Sequence, residues 1–433
     1  MRLTTVLLCA LTFLSAIIDE PLYSQQVAVN DSNLVYLSDY LQYAAINNAG
    51  LKAAFEQWKA AVEQLPQAQS LPDPRFTYGY FIKEVETRAG PQRQRFGIMQ
   101  VFPWFGKIEA RTDAAAVAAK AAWKRYEAAK LKLFFEVKDA FYEYAYLVRA
   151  LQIARENLEL IKYFEEVART KYAAAAAAHP DIIRAQVELA KLDDVHKSLE
   201  QMREPVVARL NASLNRPTFE LLPWPKPDEP KLVEIDHKKM MMILKKTNPQ
   251  LEALSFEVLA SKSNLELAKK NFYPDIGAGV DWIQTDDAIT PGVADDGKDP
   301  VILMFSINLP IWRDGLKAAE RQAKANLRQI EQERLETENT LIAEAQRRLY
   351  DLEDSNRKTK LYGDALIPKA EELLNASQTA YQSGTVDFLS LIDAQRTLLM
   401  FQLHYERAIT NSQQRLAELE MLVGAQLPTL SEK

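Results

Sequence analysis

The chain has 433 residues, 48% of them hydrophobic and 26% charged, a mix that suits a folded protein and excludes both disorder and a bundle of membrane helices. Its net charge of −6, with no basic cluster interleaved with aromatics, excludes a nucleic-acid surface. The single cysteine, Cys9, rules out a disulfide framework.

The first residues read as an export signal over 1–24. Arg2 supplies a positive start and Val6 to Ile18 an apolar run too short to span a bilayer, with cleavage after Ala16 or after Ser24. Val6-Leu7-Leu8 before Cys9 lacks the small residues of lipoprotein processing, so no lipidation is expected. Beyond the signal there is no uncharged apolar stretch of about 18 residues to form a transmembrane helix.

Leu37 to Leu71 has helical periodicity, with Leu41, Ala44, Leu51, Phe55, Trp58 and Val62 near one face; Pro66 would kink the helix, and Pro72 and Pro74 end it. The period then changes to two. Phe76, Tyr78, Tyr80 and Ile82 alternate as in a strand, Glu86 to Gln92 reads as a turn, and Arg95 to Trp104 is a second strand. Lys107 to His179 contains neither Gly nor Pro and is rich in strong helix formers. At 1.5 Å per residue it predicts a helix roughly 100 Å long. A helix from Asp181 to about Leu214 follows.

Much of this pattern then recurs. Leu51, Ala53, Ala68 and Pro74 return 200 residues later as Leu251, Ala253, Ala268 and Pro274; Tyr172, Ala185, Gln186 and Leu210 return 209 later as Tyr381, Ala394, Gln395 and Leu419. The period is far too long for a solenoid and implies one duplicated architecture. The predicted layout is a first structural repeat over 25–216, a linker over 217–231 with five prolines, a second repeat over 232–424 and a tail over 425–433. In the second repeat a helix is expected over Val233–Asn271, strands over Tyr273–Gln284 and Val301–Pro310, and an acidic loop over Thr285–Pro300. A long helix follows over Asp314–Gln382, interrupted near Gly363 and Pro368, and a last helix over Val386–Val423.

Each repeat supplies one strand pair, and a lone hairpin is marginal in water. Four strands cannot close a barrel, since membrane barrels start at about eight, so closure requires several chains: two would make a small filled barrel, three a twelve-stranded one with a lumen. Strands of about 10 residues, rich in aromatics, have bilayer-spanning length when tilted. Tyr78, Tyr80, Phe102, Trp104, Tyr273, Trp282 and Trp312 are candidates for aromatic girdles at the membrane interfaces.

The chain at this point resembles the TolC family of outer-membrane efflux proteins. Tyr381-Gln-Ser-Gly384-Thr-Val-Asp-Phe-Leu-Ser-Leu391-Ile-Asp393-Ala394-Gln395 is similar to the family's Tyr-x-x-Gly…Leu-x-x-Ala-Gln signature around a helix–helix turn. Gln100-Val-Phe-Pro-Trp-Phe-Gly106-Lys107 and Leu309-Pro-Ile-Trp312-Arg-Asp-Gly315 resemble its strand-to-helix junctions, and Leu210-Asn-Ala-Ser-Leu-Asn-Arg-Pro217 the end of its first half. The resemblance implies a mainly α fold with a small β part: a long α-helical coiled-coil barrel, plus four strands per chain that complete a twelve-stranded outer-membrane β-barrel in a homotrimer. It further implies a passive duct in a tripartite efflux system, working with a periplasmic adaptor and a proton-driven inner-membrane pump. A duct for an ABC-driven type I secretion system and a periplasmic coiled-coil scaffold are the alternatives.

The resemblance also suggests roles for individual residues. Asp393 and Asp181 match positions at the periplasmic entrance, where three carboxylates about a threefold axis would favour cations. Tyr381 would pack the gate. Gly384, Thr385 and Val386, with Ala175, His179 and Pro180 in the first half, would form the tip that meets the adaptor. Ala175 stands where the family usually has Gly, and an Ala run resists positive φ, so a tighter or reshaped first turn is expected. Ala185-Gln186 and Ala394-Gln395 read as close-packing positions. No phosphate-binding loop, nucleophile elbow or HExxH motif occurs, so neither an enzyme nor a cofactor is expected. The scattered His179, His196, His237 and His404 predict no metal site.

Overall fold

The structure, a computed structural model, describes residues 34–427 except 228, 230, 231 and 291. The export signal, Cys9 and the end of the tail lie outside the described residues.

The first helical segment is three helices, α1 (Leu37–Asn47), α2 (Ala49–Val62) and α3 (Gln64–Gln69), not one. Asn48 makes the first break. Its extended backbone (φ −61°, ψ 123°) ends α1, and its side-chain oxygen accepts from Leu51 N at 2.8 Å to cap α2. The expected helix over Val233–Asn271 likewise splits into α7 (His237–Thr247) and α8 (Pro249–Lys270) at Asn248, which caps Leu251 N at 2.9 Å. The apolar stripe runs through both breaks, so periodicity hides them. Pro249, at the first position of α8, was the readable sign of the second.

Between these segments lie β1 (Arg75–Thr87), β2 (Gly90–Phe102), α4 (Lys107–Ala173), α5 (His179–Gln201) and α6 (Arg203–Leu214). The hairpin is longer than expected because the predicted turn over Glu86–Gln92 is mostly strand: Thr87 pairs with Gly90. The expected helix from Asp181 to Leu214 is interrupted at Met202. After α8 come β3 (Ile276–Thr285) and β4 (Val301–Ile307), then α9 (Arg313–Lys360), a π-helical turn (Leu361–Leu366), α10 (Ile367–Ser383) and α11 (Phe388–Val423). The π-turn falls at the predicted interruption. A Cβ at Gly363 would stand 2.8 Å from the Tyr405 ring, so only glycine lets the two approach, and Pro368 follows without an N–H.

The four strands form one antiparallel sheet in the order β1-β2-β3-β4. Its central pair, β2 with β3, joins the two halves, and β1 and β4 are its edges. α4 packs against α2, α5, α6, α8 and α11, and α11 in turn against α9 and α10. Three apolar clusters hold the helices. Two are counterparts: Tyr40, Ala44 and Leu210 centre one, Met240, Leu244 and Leu419 the other. The third gathers Ile161, Phe164, Ile182, Leu374, Tyr381, Phe388 and Leu391 where α4, α5, α10 and α11 approach their turns.

The proline-rich stretch is bolted down where it follows α6. Leu222 is buried, and its carbonyl accepts from the Tyr144 hydroxyl at 3.0 Å and from Arg203 Nη2 at 2.8 Å. Trp224 stacks on Tyr144 at 5.2 Å between ring centroids.

Candidate functional site

The two helix–helix turns share a backbone. After α4, Ala175 takes a left-handed φ of 55°, its N–H donates to Tyr172 O at 2.9 Å, and Ala176 N donates to Lys171 O at 2.8 Å. After α10, Gly384 has φ 80°, its N–H donates to Tyr381 O at 3.1 Å, and Thr385 N donates to Ala380 O at 2.9 Å. In both, the next helix is capped three residues on, at Ala178 and Asp387. The reshaping expected of the Ala turn is therefore absent: Ala175 adopts the glycine-like conformation, because paired hydrogen bonds to the end of α4 outweigh the steric cost of a left-handed alanine. The caps do differ. Asp387 accepts from Ser390 N at 2.9 Å and Ser390 Oγ at 2.7 Å, whereas Ala178 has no side chain to accept with.

The tyrosines that precede the turns diverge. Tyr172 is half exposed, with its ring 5.5 Å from that of His179, the first residue of α5. Tyr381 is buried at 4% exposure. Its ring meets Phe388 edge-on at 5.3 Å, Lys171 Nζ lies 4.7 Å from its centroid, and the same ammonium donates to the Tyr381 carbonyl. The Tyr381 hydroxyl is buried without a hydrogen-bond partner among the described residues. Burial, with the charge of Asp181 adding to it, pushes this hydroxyl up to about 12.

The structure does not bring Asp181 and Asp393 into one cluster. Asp181, largely covered in the first turn of α5, lies near Tyr381 and 3.5 Å from Arg184. Asp393 is exposed on α11 and pairs with Arg396 at 3.2 Å. By the 209-residue offset Asp181 corresponds to Ser390 (181 + 209) and Asp393 to Arg184 (393 − 209), so the two aspartates are not repeat equivalents. Thr385 is tied inward, its hydroxyl donating to Ala380 O at 3.0 Å; Val386, His179 and Pro180 are exposed around the turns.

Sequence reasoning missed the polar ties between these helices. Arg396 on α11 reaches Glu188 on α5, and that guanidinium holds the Glu188 carboxyl below the usual range. Ala185 and Ala394 are buried as packing positions, but their glutamines differ from that expectation. Gln186 is exposed and donates to Glu165 at 3.0 Å, whereas Gln395 is buried and donates to Asn157 Oδ1 at 2.9 Å. Asn157 Nδ2 in turn donates to Gln402 at 3.2 Å. An asparagine at position 157, inside an otherwise apolar stripe of α4, was the available sign. A second tie joins the junction between β2 and α4 to the entry of β3. Buried Lys107 donates to Asp275 at 2.8 Å and to Tyr273 O at 2.9 Å, and Gly106 takes φ 77° beside Lys270.

The sheet separates its side chains by face. Phe76, Tyr78, Tyr80, Phe96, Ile98, Val280, Trp282, Leu303 and Phe305 fall on one face through the strand register, and most are exposed. The other face mixes Thr77, Gly79, Arg95, Gly97, Gly277, Gly279, Asp281 and Ser306 with Met99, Val101, Ile283, Ile302 and Met304. Phe102 is on the apolar face at the end of β2. Trp104 and Tyr273 lie just beyond the strands and stack at 5.6 Å with 6° between planes; Trp312, before α9, is 84% exposed. Among the described residues no helix is long and apolar enough to cross a membrane, and no group of three or more His, Cys, Asp or Glu is placed to hold a metal ion.

Residues 40–216 and 243–425 match the family model described as outer membrane efflux protein. The sequence is 24% identical over 327 residues to the outer membrane protein OprJ of Pseudomonas aeruginosa, covering 74% of this chain and 67% of that protein. It is 22% identical over 398 residues to the cobalt-zinc-cadmium resistance protein CzcC of Cupriavidus metallidurans, covering 89% of this chain and 88% of that one. Among solved structures, the outer membrane protein VceC of Vibrio cholerae superposes with a TM-score of 0.71 at 17% identity, over 90% of this chain and 97% of that chain.

Proposed function

The chain belongs to the outer membrane efflux protein family, an efflux channel of the outer membrane with its helices in the periplasm, and from that premise we propose how its parts work. Three copies close their sheets edge to edge, β1 of one on β4 of the next, into a twelve-stranded barrel. The observation that carries this is the sheet itself: one exposed, aromatic-rich apolar face, one face that holds the glycines and the charges of Arg95 and Asp281, and two edges unpaired among the described residues. Only lipid outside and water inside suits both faces, and only closure removes the edges. The duct is passive, with energy supplied by an inner-membrane pump reached through a periplasmic adaptor. Two structural repeats, 25–216 and 232–424, joined by the 217–231 linker, let three chains approximate a sixfold tube; the family model's match to each half supports these bounds.

The turns at Ala175 and Gly384 form the periplasmic tip, and Thr385, Val386, His179 and Pro180 offer its docking surface to the adaptor. Tyr381 packs the closed gate, and Asp393 and Asp181 supply the charge of the entrance. Tyr78, Tyr80, Phe102 and Trp282 face lipid, and Trp104, Tyr273 and Trp312 form the girdle on the helix side. Purified protein should cross-link to trimers and conduct weakly in planar bilayers, and a Tyr381→Ala, Asp393→Ala double variant should conduct several-fold more. Absence of conductance from both would refute the duct.

A further inference from the structure

The glycine-bearing face of the sheet holds an ion pair whose carboxylate alone is buried. Asp281 on β3 is 1% exposed. Its strand neighbour on β2 is Gly97, and a Cβ there would collide with Asp281 Oδ1, so the missing side chain is what gives the carboxylate its seat. Arg95, two residues along β2, folds over it: Nε and Nη2 both donate to Asp281 Oδ2, and Nη2 also reaches Met304 Sδ at 3.6 Å. The Arg95 side chain is 45% exposed and that of Asp281 2%, so the wall presents an arginine with its counter-charge beneath it.

We propose that Arg95 and Asp281 set the charge selectivity of the barrel, forming a self-neutralised pair on its inner wall that leaves this stretch open to solutes of either sign. The inference rests on the duct proposed above, because it is the apolar opposite face, with Phe96, Val280 and Trp282, that turns this pair inward. A barrel wall is a low-dielectric boundary, and an uncompensated charge on it acts on permeating ions within about a Debye length, ~8 Å at physiological salt. Asp281→Asn keeps the shape and a hydrogen-bond acceptor but leaves Arg95 uncompensated. Arg95→Gln does the converse.

The test is the potassium-to-chloride permeability ratio from reversal potentials in a salt gradient. It is measured in a Tyr381→Ala, Asp393→Ala background, so that the barrel rather than the tip is read. Asp281→Asn should lower the ratio at least about twofold and Arg95→Gln raise it by a similar factor, the two moving in opposite directions. Arg95→Lys, which keeps the charge, should leave it near the background value. Conducting trimers with an unchanged ratio in both neutral variants would overturn the proposal. Failure of both variants to assemble would also overturn it, in favour of a pair that only holds β2 to β3. If the background protein itself conducts nothing, it is the duct that fails.

Discussion

Asn48 and Asn248 show how much one side chain does in this molecule. Each ends one helix, caps the next, and reaches across its repeat: Asn48 Nδ2 donates to Ser213 O at 2.8 Å, and Asn248 Nδ2 to Leu422 O at 2.7 Å. Asn248→Ala therefore loses a cap and strands a buried carbonyl. Caps are worth about 1 kcal/mol and an orphaned buried acceptor about 1–3 kcal/mol, so about 2–4 kcal/mol of stability should go, read as a lower denaturant midpoint. Asn248→Asp, which keeps the cap but sets a buried carboxylate against the Leu422 carbonyl, should lose at least as much. A second residue-scale effect follows from Glu188. Its folded carboxyl is held below the ordinary glutamate value by Arg396, so the stability it contributes is present above about pH 4.3 and is lost as pH falls through the lower folded value. Arg396→Ala should be less stable than wild type at pH 7, and the gap should narrow by pH 3; a gap of constant size would show the pair to be inert.

Among the elements, the turns invite a reciprocal test. Ala175 is held left-handed at a steric cost of about 1–2 kcal/mol, so Ala175→Gly should relieve part of it, while Gly384→Ala should lose about 1 kcal/mol, both read by thermal unfolding. The elements themselves were largely legible. Strand alternation from Phe76 and from Ile276, the Gly- and Pro-free run of α4, and Gly363 in the π-turn with Pro368 just after it all pointed to what is there. The kink at Asn48 was not, because an apolar stripe continues across a break that a tertiary hydrogen bond holds; the one at Met202 had its sign in Pro205, which has no N–H to offer the Gln201 carbonyl. The conformation of Ala175 was misjudged for a related reason, since local propensity lost to the bonds closing the end of α4. At the site, the position of Tyr381 could be read from its motif. Its burial against Lys171, and the ties of Glu188 to Arg396 and Asn157 to Gln395, join residues more than 200 positions apart and have no local signature.

At the scale of the whole molecule, the two faces of the sheet make opposite demands. Leu303→Lys places an ammonium on the apolar face and should weaken the assembled barrel by up to about 2–4 kcal/mol, whereas Thr77→Lys, on the polar face, should be tolerated. Heat-induced loss of the trimer band on gels would rank the two. Equal effects would contradict the assignment of faces.

The asparagine ties also impose an order of events. The first joins residues 165 positions apart and the second residues 174 apart, each linking an early helix of its repeat to the last. A chain emerging N-terminus first can lock its first clamp once residue 213 is available, while the second half is still unmade or in transit. The second clamp must wait for Leu422, about two hundred residues after Ser213. Shortening the chain there would leave half the molecule able to latch and the other half without its catch.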